Sequence, residues 1–404
     1  MRISTNTIFE MGSGKIGDMT LAMFKTQQQI ASGLRILSPA DDPVAAAAAL
    51  GIDQAISINN QFATNRANAK SALSEEESVL QSVTTLLQSI KTSVVGSGNA
   101  SMDDSQRQAY VTQLRNNFEE LLGLANTRGA NGDYLFGGYQ VGNKPFTESA
   151  GGAVYSGDQG QRMLQVGAAR QLSSSDSGSS IFEGGMTGNG RFQTSASNAN
   201  TGSGLISTGS VTDLSLLTGA KYDITFSIDA AGATTYLVTQ TPPPATPATP
   251  QPYVSGQAIT FDGMTFDVKG VPANGDTFSI EPSTNQSIFT TITDLLNVLS
   301  TSTTGEGGKT RLTNGLSIAN NNIDNALANI SKVRTTVGTR LQEIDNLDNV
   351  GSNLTLQYTD TLKQLQEIDP IEAYSRFTQQ QFALDAAQKT FIKIAGLSLF
   401  NMLS

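Results

Sequence analysis

Apolar positions fall at helical spacing near both ends of the chain and at alternate positions in its middle. The first long helix is predicted from Asp42. Asp42-Pro43 reads as an N-cap followed by proline at the first helical position, where the missing N–H costs nothing. Ala45 to Ala49 have high helix propensity, and the pattern continues to about Val95. From Ala69 the spacing is heptad-like, through Leu73, Leu80, Val83, Leu87, Ile90 and Val94, with Glu76 breaking the row. About fifty residues rising about 1.5 Å each make a rod of roughly 75 Å. Gly96-Ser97-Gly98-Asn99 ends it. Asp103 or Asp104 caps a second helix from about Ser105 to Thr127, whose face holds Tyr110, Leu114, Phe118, Leu121, Leu122 and Ala125.

The strongest periodicity lies on the C-terminal side. Ile323, Ile330, Val337, Ile344, Tyr358 and Leu365 recur at seven-residue spacing, with Gly351 in the gap. Ala326, Val333, Leu347, Leu354 and Ile368 form a second row, interrupted by Arg340 and Thr361. Two such rows predict a coiled-coil-like helix from about Gly315 to Ile368. Asp369-Pro370 breaks it. A last amphipathic helix follows, from about Ile371 to Met402, with Tyr374, Phe377, Leu384, Phe391, Ile394 and Leu397 among its apolar residues.

Between these helical ends the pattern changes to short strands separated by Gly-rich turns. Strands are predicted within Tyr134–Tyr139, at Val154-Tyr155, and at Tyr222–Ile228, Thr235–Gln240, Ala258–Phe261, Thr265–Lys269 and Thr277–Ile280. Residues 173–210 are rich in Ser, Gly, Asn and Thr, and the prolines from Pro242 to Pro252 predict an extended, structureless run. The expected fold class is α+β and elongated. Antiparallel coiled-coil-like helices from both chain ends bury their seams against each other, with a β-rich domain inserted. The expected division is 1–42 with 370–404 as terminal helices, 43–168 with 286–369 as a helical rod bearing a hairpin, and 169–285 as a β-rich outer domain. The terminal helices are expected to be disordered in the monomer, because their stripes have no partner within the chain.

Composition narrows the chemistry. The 404 residues carry 25 Lys+Arg against 35 Asp+Glu, a net charge of -10. Nucleic-acid binding is not expected, since it needs clustered positive charge. The chain has no Cys, His or Trp. That removes disulfides, thiol nucleophiles, the commonest general base and the commonest zinc ligands, so no metal or other cofactor is expected. The start shows no basic segment leading into an apolar run, so no cleavable secretory signal is expected. No run of 18 apolar residues exists, so no membrane association through a spanning helix is expected. Gly12-Ser13-Gly14-Lys15-Ile16-Gly17 matches a dinucleotide-binding string but follows no strand. Asp41 and Asp42 suit capping better than acid–base work, and Asp345 and Asp348 suit a solvated helix face.

The segment Ile30-Ala31-Ser32-Gly33-Leu34-Arg35-Ile36-Leu37-Ser38-Pro39-Ala40-Asp41-Asp42-Pro43 resembles the N-terminal signature of the bacterial flagellin superfamily. Met1-Arg2-Ile3-Ser4-Thr5, the Ser-Pro-Ala-Asp-Asp-Pro form, Tyr134-Leu135-Phe136-Gly137-Gly138-Tyr139 and Tyr155-Ser156-Gly157-Asp158 are more similar to its hook–filament junction members than to flagellin. The resemblance covers about 1–165 and 285–404 and is weaker over the β insert. It implies a non-enzymatic structural subunit, exported by the flagellar type III pathway and placed outside the cell in the flagellum. A homo-oligomeric ring would meet a hook-side junction protein on one surface and flagellin on the other. An export chaperone would cover the C-terminal helix, with Phe377, Leu384, Phe391, Ile394 and Leu397 as the assembly or chaperone contact. Leu73, Leu80, Val83, Leu87, Ile90, Ile323, Ile330, Val337, Ile344, Leu347, Leu354 and Leu365 would form the rod seam, and Leu34, Arg35, Asp41 and Asp42 a spoke between inner helix and rod.

Other readings stay open on the residues alone. They are flagellin itself, a secreted coiled-coil adhesin that binds through the β insert, or an enzyme using Asp223, Asp229, Asp262, Asp267 or Asp276 of that insert.

Overall fold

The computed structural model describes residues 5–242 and 249–403, with side chains over 9–242 and 249–394. Its helices are α1 (Thr5–Ser32), α2 (Pro43–Ser97), α3 (Asp104–Ala125), α4 (Gly178–Phe182), α5 (Ile288–Ser300), α6 (Gly305–Gln366) and α7 (Pro370–Leu403). Two hairpins, β1 (Phe146–Ser149) with β2 (Gly152–Tyr155) and β3 (Met163–Gly167) with β4 (Arg170–Ser173), precede α4. Between α4 and α5 lie β5 (Gly185–Met186), β6 (Phe192–Ala196), β7 (Leu205–Ile206), β8 (Ser210–Val211), β9 (Lys221–Ile228) and β10 (Thr234–Thr241). They are followed by β11 (Gln251–Pro252), β12 (Ala258–Phe261), β13 (Met264–Lys269), β14 (Thr277–Pro282) and β15 (Asn285–Gln286). Long helices from both chain ends thus flank a β-rich insert, an α+β fold. The chain divides into a terminal unit, Met1–Thr64 with Asn346–Ser404, and a central unit, Asn65–Asp345.

In the central unit α2 and α6 run antiparallel. The ion pairs Lys70–Asp345, Glu77–Arg334 and Lys91–Asp324 climb one helix while descending the other. These exposed or half-exposed pairs mark register more than they stabilise. Stability comes from the seam between them: Leu73, Leu80, Val83, Leu87, Ile90, Ile323, Ile330, Val337 and Ile344 are fully buried. Beyond them Leu347 and Leu365 are half-buried and Leu354 is 36% exposed, so the apolar row loosens in the terminal unit. There Asn59 Nδ2 of α2 donates to the Gly351 carbonyl at 2.7 Å and to Thr355 Oγ1 at 2.8 Å.

The β-rich insert follows the alternation expected of half-buried strands. β9 buries Tyr222, Ile224 and Phe226, β13 buries Met264, Phe266 and Val268, and β14 buries Phe278 and Ile280. A five-stranded sheet (β11-β10-β9-β14-β6) and a smaller one (β12-β13-β7, with β8 also on β13) share this core. Pro252 stands in the short edge strand β11, where a missing N–H costs least. Pro243, Pro244 and Pro247 lie outside the described residues.

Three local expectations are corrected. Tyr134–Tyr139 is not a strand. It is a series of turns with one isolated bridge, Arg128 to Tyr134. Gly138 takes φ +71°, and the Phe136 carbonyl accepts from Gly178 N–H and Tyr155 O–H instead of a strand neighbour. The long C-terminal helix begins at Gly305, ten residues before Gly315, and the unforeseen helix α5 precedes it. Gly315 lies inside this helix: a Cβ there would lie 2.7 Å from Val298, so the glycine allows α5 to press onto α6. Ser287 caps α5, whose Ile288, Phe289, Ile292, Leu295 and Leu299 are buried at helical spacing.

The polar stretch 173–210 is ordered through asparagines of α6. Asn329 Nδ2 donates to the carbonyls of Ser180 and Ile181, and Asn325 Nδ2 to those of Met186 and Gly188. Asn322 Oδ1 accepts from Gly188 N–H. Asn314 accepts from Ile206 N–H at 3.2 Å and donates to Gly204 O at 3.1 Å, buried on both sides. These amides satisfy backbone groups of the short strands and turns in this stretch. Asn314→Ala is expected to destabilise the central unit by about 2–3 kcal/mol, because two buried backbone groups lose their partners. Urea unfolding followed by fluorescence of the tyrosines checks this, and an unchanged midpoint would mean that water replaces the amide.

Candidate functional site

The terminal unit pairs α1 with α7, antiparallel. The rings of Phe9 and Phe391 lie 5.0 Å apart near one end, and Arg376 donates to Gln29 Oε1 at 3.0 Å near the other. A Cβ on Gly12 would approach the Phe391 ring to 2.8 Å, so this glycine serves helix packing. The whole Gly12–Gly17 string lies inside α1 and follows no strand, which removes its dinucleotide reading.

On α7, Ala373 and Leu384 are buried and Phe377 and Phe391 half-buried on the row that faces α1. The expectation that this stripe has no partner within the chain is therefore corrected: the partner is α1. Ile394 is 49% exposed, and the Leu397 side chain lies outside the described residues. Outside that row, further apolar residues of α7 stand in solvent: Ile371, Tyr374, Phe382 and Ile392. On α1, Leu21 and Phe24 are likewise exposed. The pair is apolar both inside and outside, as a helix pair that awaits further neighbours would be. A single stripe was legible in sequence, but which residues α1 would cover was not.

The joint between α1 and α2 is built against the end of α6 and the start of α7. Gly33 ends α1 at φ +72°, a conformation that glycine takes most readily. Its carbonyl accepts from Ile368 N–H at 3.0 Å, and Arg35 N–H donates to Gln366 O at 2.7 Å, with Leu34 bridging Glu367. The Arg35 guanidinium reaches Leu365 O at 2.9 Å and Asp42 at 3.3 Å. Asp42 also accepts from Ala45 N–H at 3.0 Å and so caps α2. Asp41 pairs with Lys25 and accepts from the N–H groups of Leu37 and Ser38. The Lys25 hydrogen bond, and then that of Ser38 N–H, hold the Asp41 carboxyl below its ordinary range. For Asp42 the Ala45 N–H is the main cause of the same shift, aided by Arg35.

Three residues at this joint escaped the sequence reading. Asp369 caps α7 through Ile371 N–H at 2.8 Å. Gln29 donates to Arg35 O at 2.6 Å and accepts from Arg376. Asp369-Pro370 repeats the Asp-Pro pair that opens α2, a signal that was present. Nothing local marks Gln29 and Arg376, 347 residues apart.

Four of the five carboxylates considered for catalysis serve local structure, and the fifth, Asp267, lies 3.8 Å from Lys269, its buried Oδ2 without a hydrogen-bond partner among the described residues. Asp229 accepts from Ala231 and Ala233 N–H, Asp276 from Thr201, Gly202 and Ala273 N–H, Asp223 from Ser279 and Asp262 from Tyr222. Among the described residues no group of carboxylates is placed to hold a metal ion, and no helix is long and apolar enough to cross a membrane.

Comparison with known proteins adds the following. Residues 3–141 match the bacterial flagellin N-terminal helical region, and residues 195–282 match the D2-like domain of flagellar hook-associated protein 1. Flagellar hook-associated protein 3 of Salmonella typhimurium is 36% identical over 182 residues, 45% of this chain and 57% of that one. Its Escherichia coli K12 counterpart is 34% identical over 183 residues, with the same shares. The chain thus spans a little over half the length of these curated relatives. The solved structure of hook-associated protein 3 from Legionella pneumophila is 30% identical, with a TM-score of 0.74 over 78% of this chain and 98% of that one. The Xanthomonas campestris protein FlgL is 29% identical, with a TM-score of 0.71 over 77% and 99%.

Proposed function

Because the chain belongs to the flagellar hook-associated protein 3 family, we propose that it is a structural subunit of the bacterial flagellum, an adaptor that joins the hook to the flagellin filament. The observation that carries this reading is the chain's mixed likeness: its first third is similar to flagellin, and its β insert to another hook-associated protein. One subunit with features of both neighbours suits a junction. It acts by packing and catalyses nothing. The partners are a hook-side junction protein on one surface and flagellin on the other, in a ring of identical copies. It reaches its place outside the cell by the flagellar type III route, after an export chaperone has covered the C-terminal helix.

Within such a subunit, residues 1–42 with 370–404 form the inner layer, 43–168 with 286–369 the rod layer and 169–285 the outer domain. The residues proposed for the assembly or chaperone contact remain Phe377, Leu384, Phe391, Ile394 and Leu397. The exposed Ile371, Tyr374, Phe382 and Ile392 join them, since they offer apolar area without separating α1 from α7. Leu34, Arg35, Asp41 and Asp42 act as the spoke. Their backbone and side-chain bonds to residues 365–368 tie the inner helices to the ends of α2 and α6.

A strain lacking the gene tests this. Bare hooks in the electron microscope, with flagellin shed into the medium, are expected. Absence of flagellin from both cells and medium would make this chain the filament subunit, and normal filaments would remove the flagellar reading.

A further inference from the structure

The two breaks in the heptad rows, Glu76 on α2 and Arg340 on α6, meet at one place in the central unit, and Asp176 interacts with both. Arg340 grips Asp176 at 2.8 and 3.2 Å, and Gln161 Nε2 donates to it at 2.7 Å. Asp176 belongs to the segment Ser173–Ser177, every residue of which is buried. Glu76 is 3% exposed and accepts from the backbone N–H of Asp176, while among the described residues its Oε1 has no hydrogen-bond partner.

Beyond the Asp176 N–H, compensation for a charge on Glu76 is poor. Arg340 is already committed to Asp176. Arg162, the other cation facing Glu76, is drawn towards Asp133 at 3.7 Å and Ser175 at 3.4 Å. The neighbouring acids on α2 are engaged elsewhere: Glu75 accepts from Ala130 N–H, and Glu77 pairs with Arg334. An ionised Glu76 would be a second carboxylate beside Asp176, in a seam that excludes water.

We propose that Glu76 is a proton-operated latch: protonated, it lets the Ser173–Ser177 segment seat between α2 and α6, and on losing its proton it loosens that segment. Burial, reinforced by the negative charge of Asp176 and opposed by Arg340, by the Asp176 backbone N–H and by Arg162, pushes the Glu76 carboxyl up to about 8. The folded form then holds this proton more tightly than the unfolded chain does. The stabilisation is complete below the ordinary glutamate range and is lost as pH rises towards about 8. The central unit should be closed in mild acid and locally loose in mild alkali.

Hydrogen exchange on the full chain, corrected for intrinsic rates, tests this between pH 5.5 and 9. In the wild type, protection of residues 173–177 and of α2 around Glu76 is expected to fall at least tenfold as pH rises. In Glu76→Gln it should stay level, because the amide cannot ionise. Glu183 and Asp294 are also raised by burial, but they lie outside these peptides. Equal loss of protection in wild type and variant would overturn the latch. So would level protection in the wild type, a result that needs no variant to fold.

Discussion

Phe146→Ala is expected to lower the stability of the central unit by about 3–5 kcal/mol, the usual cost of emptying a fully buried phenylalanine site. Phe146 is 0% exposed and stands at the centre of an aromatic cluster. Its ring lies 5.0 Å from that of Tyr155 and 5.2 Å from those of Phe182 and Phe289. Phe136 packs on Phe182 and Phe118 on Phe289, both edge to face. The cluster therefore draws on the β1–β2 hairpin, α3, α4, α5 and the turn at 134–139. Collapse around the hole would have to move several elements at once, which keeps the cost near the top of the range. Urea unfolding of the full chain measures it. A loss below about 1 kcal/mol would show that the neighbouring rings close the gap.

Leu384→Asp should have the largest effect on assembly. Leu384 is 8% exposed, on the row of α7 that packs against α1. A carboxylate placed there replaces a buried apolar side chain, so the pair must either hold a buried charge or open. We expect α1 and α7 to lose their mutual protection in hydrogen exchange, while the central unit keeps its unfolding midpoint. We also expect a strain with this variant to build no filaments. Phe382→Asp, at an exposed position, is the informative companion: the pair should stay closed and assembly should still fail. Normal filaments with both variants would remove α7 from the assembly surface.

The seam of the central unit was legible because a seven-residue repeat is a local property. Leu73, Leu80, Ile323 and Ile330 announce themselves by spacing alone, and burial between two such rows follows. The Asp42-Pro43 cap was legible for a similar reason, since a cap acts within four residues of itself. The strands of the insert carry alternation, and β9, β10, β12, β13 and β14 begin and end within two residues of their expected bounds. Failures came where one signal has two causes. Gly315 reads as the start of the long helix, yet it lies inside α6 and gives room to Val298. The Tyr134–Tyr139 stretch has strand composition, yet its Phe136 carbonyl is taken by Gly178 and Tyr155 from later in the chain.

By itself, the sequence determined the helical ends, the β insert, the antiparallel-ready seams and the absence of Cys and His chemistry, all of them properties of composition or of spacing within a few turns. The tertiary structure decided the rest. It settled that α1 covers one face of α7 and leaves Ile371, Tyr374, Phe382 and Ile392 in solvent. It also placed the asparagines of α6 on the backbone of 180–206, and brought the two breaks, Glu76 and Arg340, to one buried carboxylate at Asp176. Periodicity states which side of an element is apolar. Only the path of the chain, which brings residues hundreds of positions apart into contact, decides what that side meets.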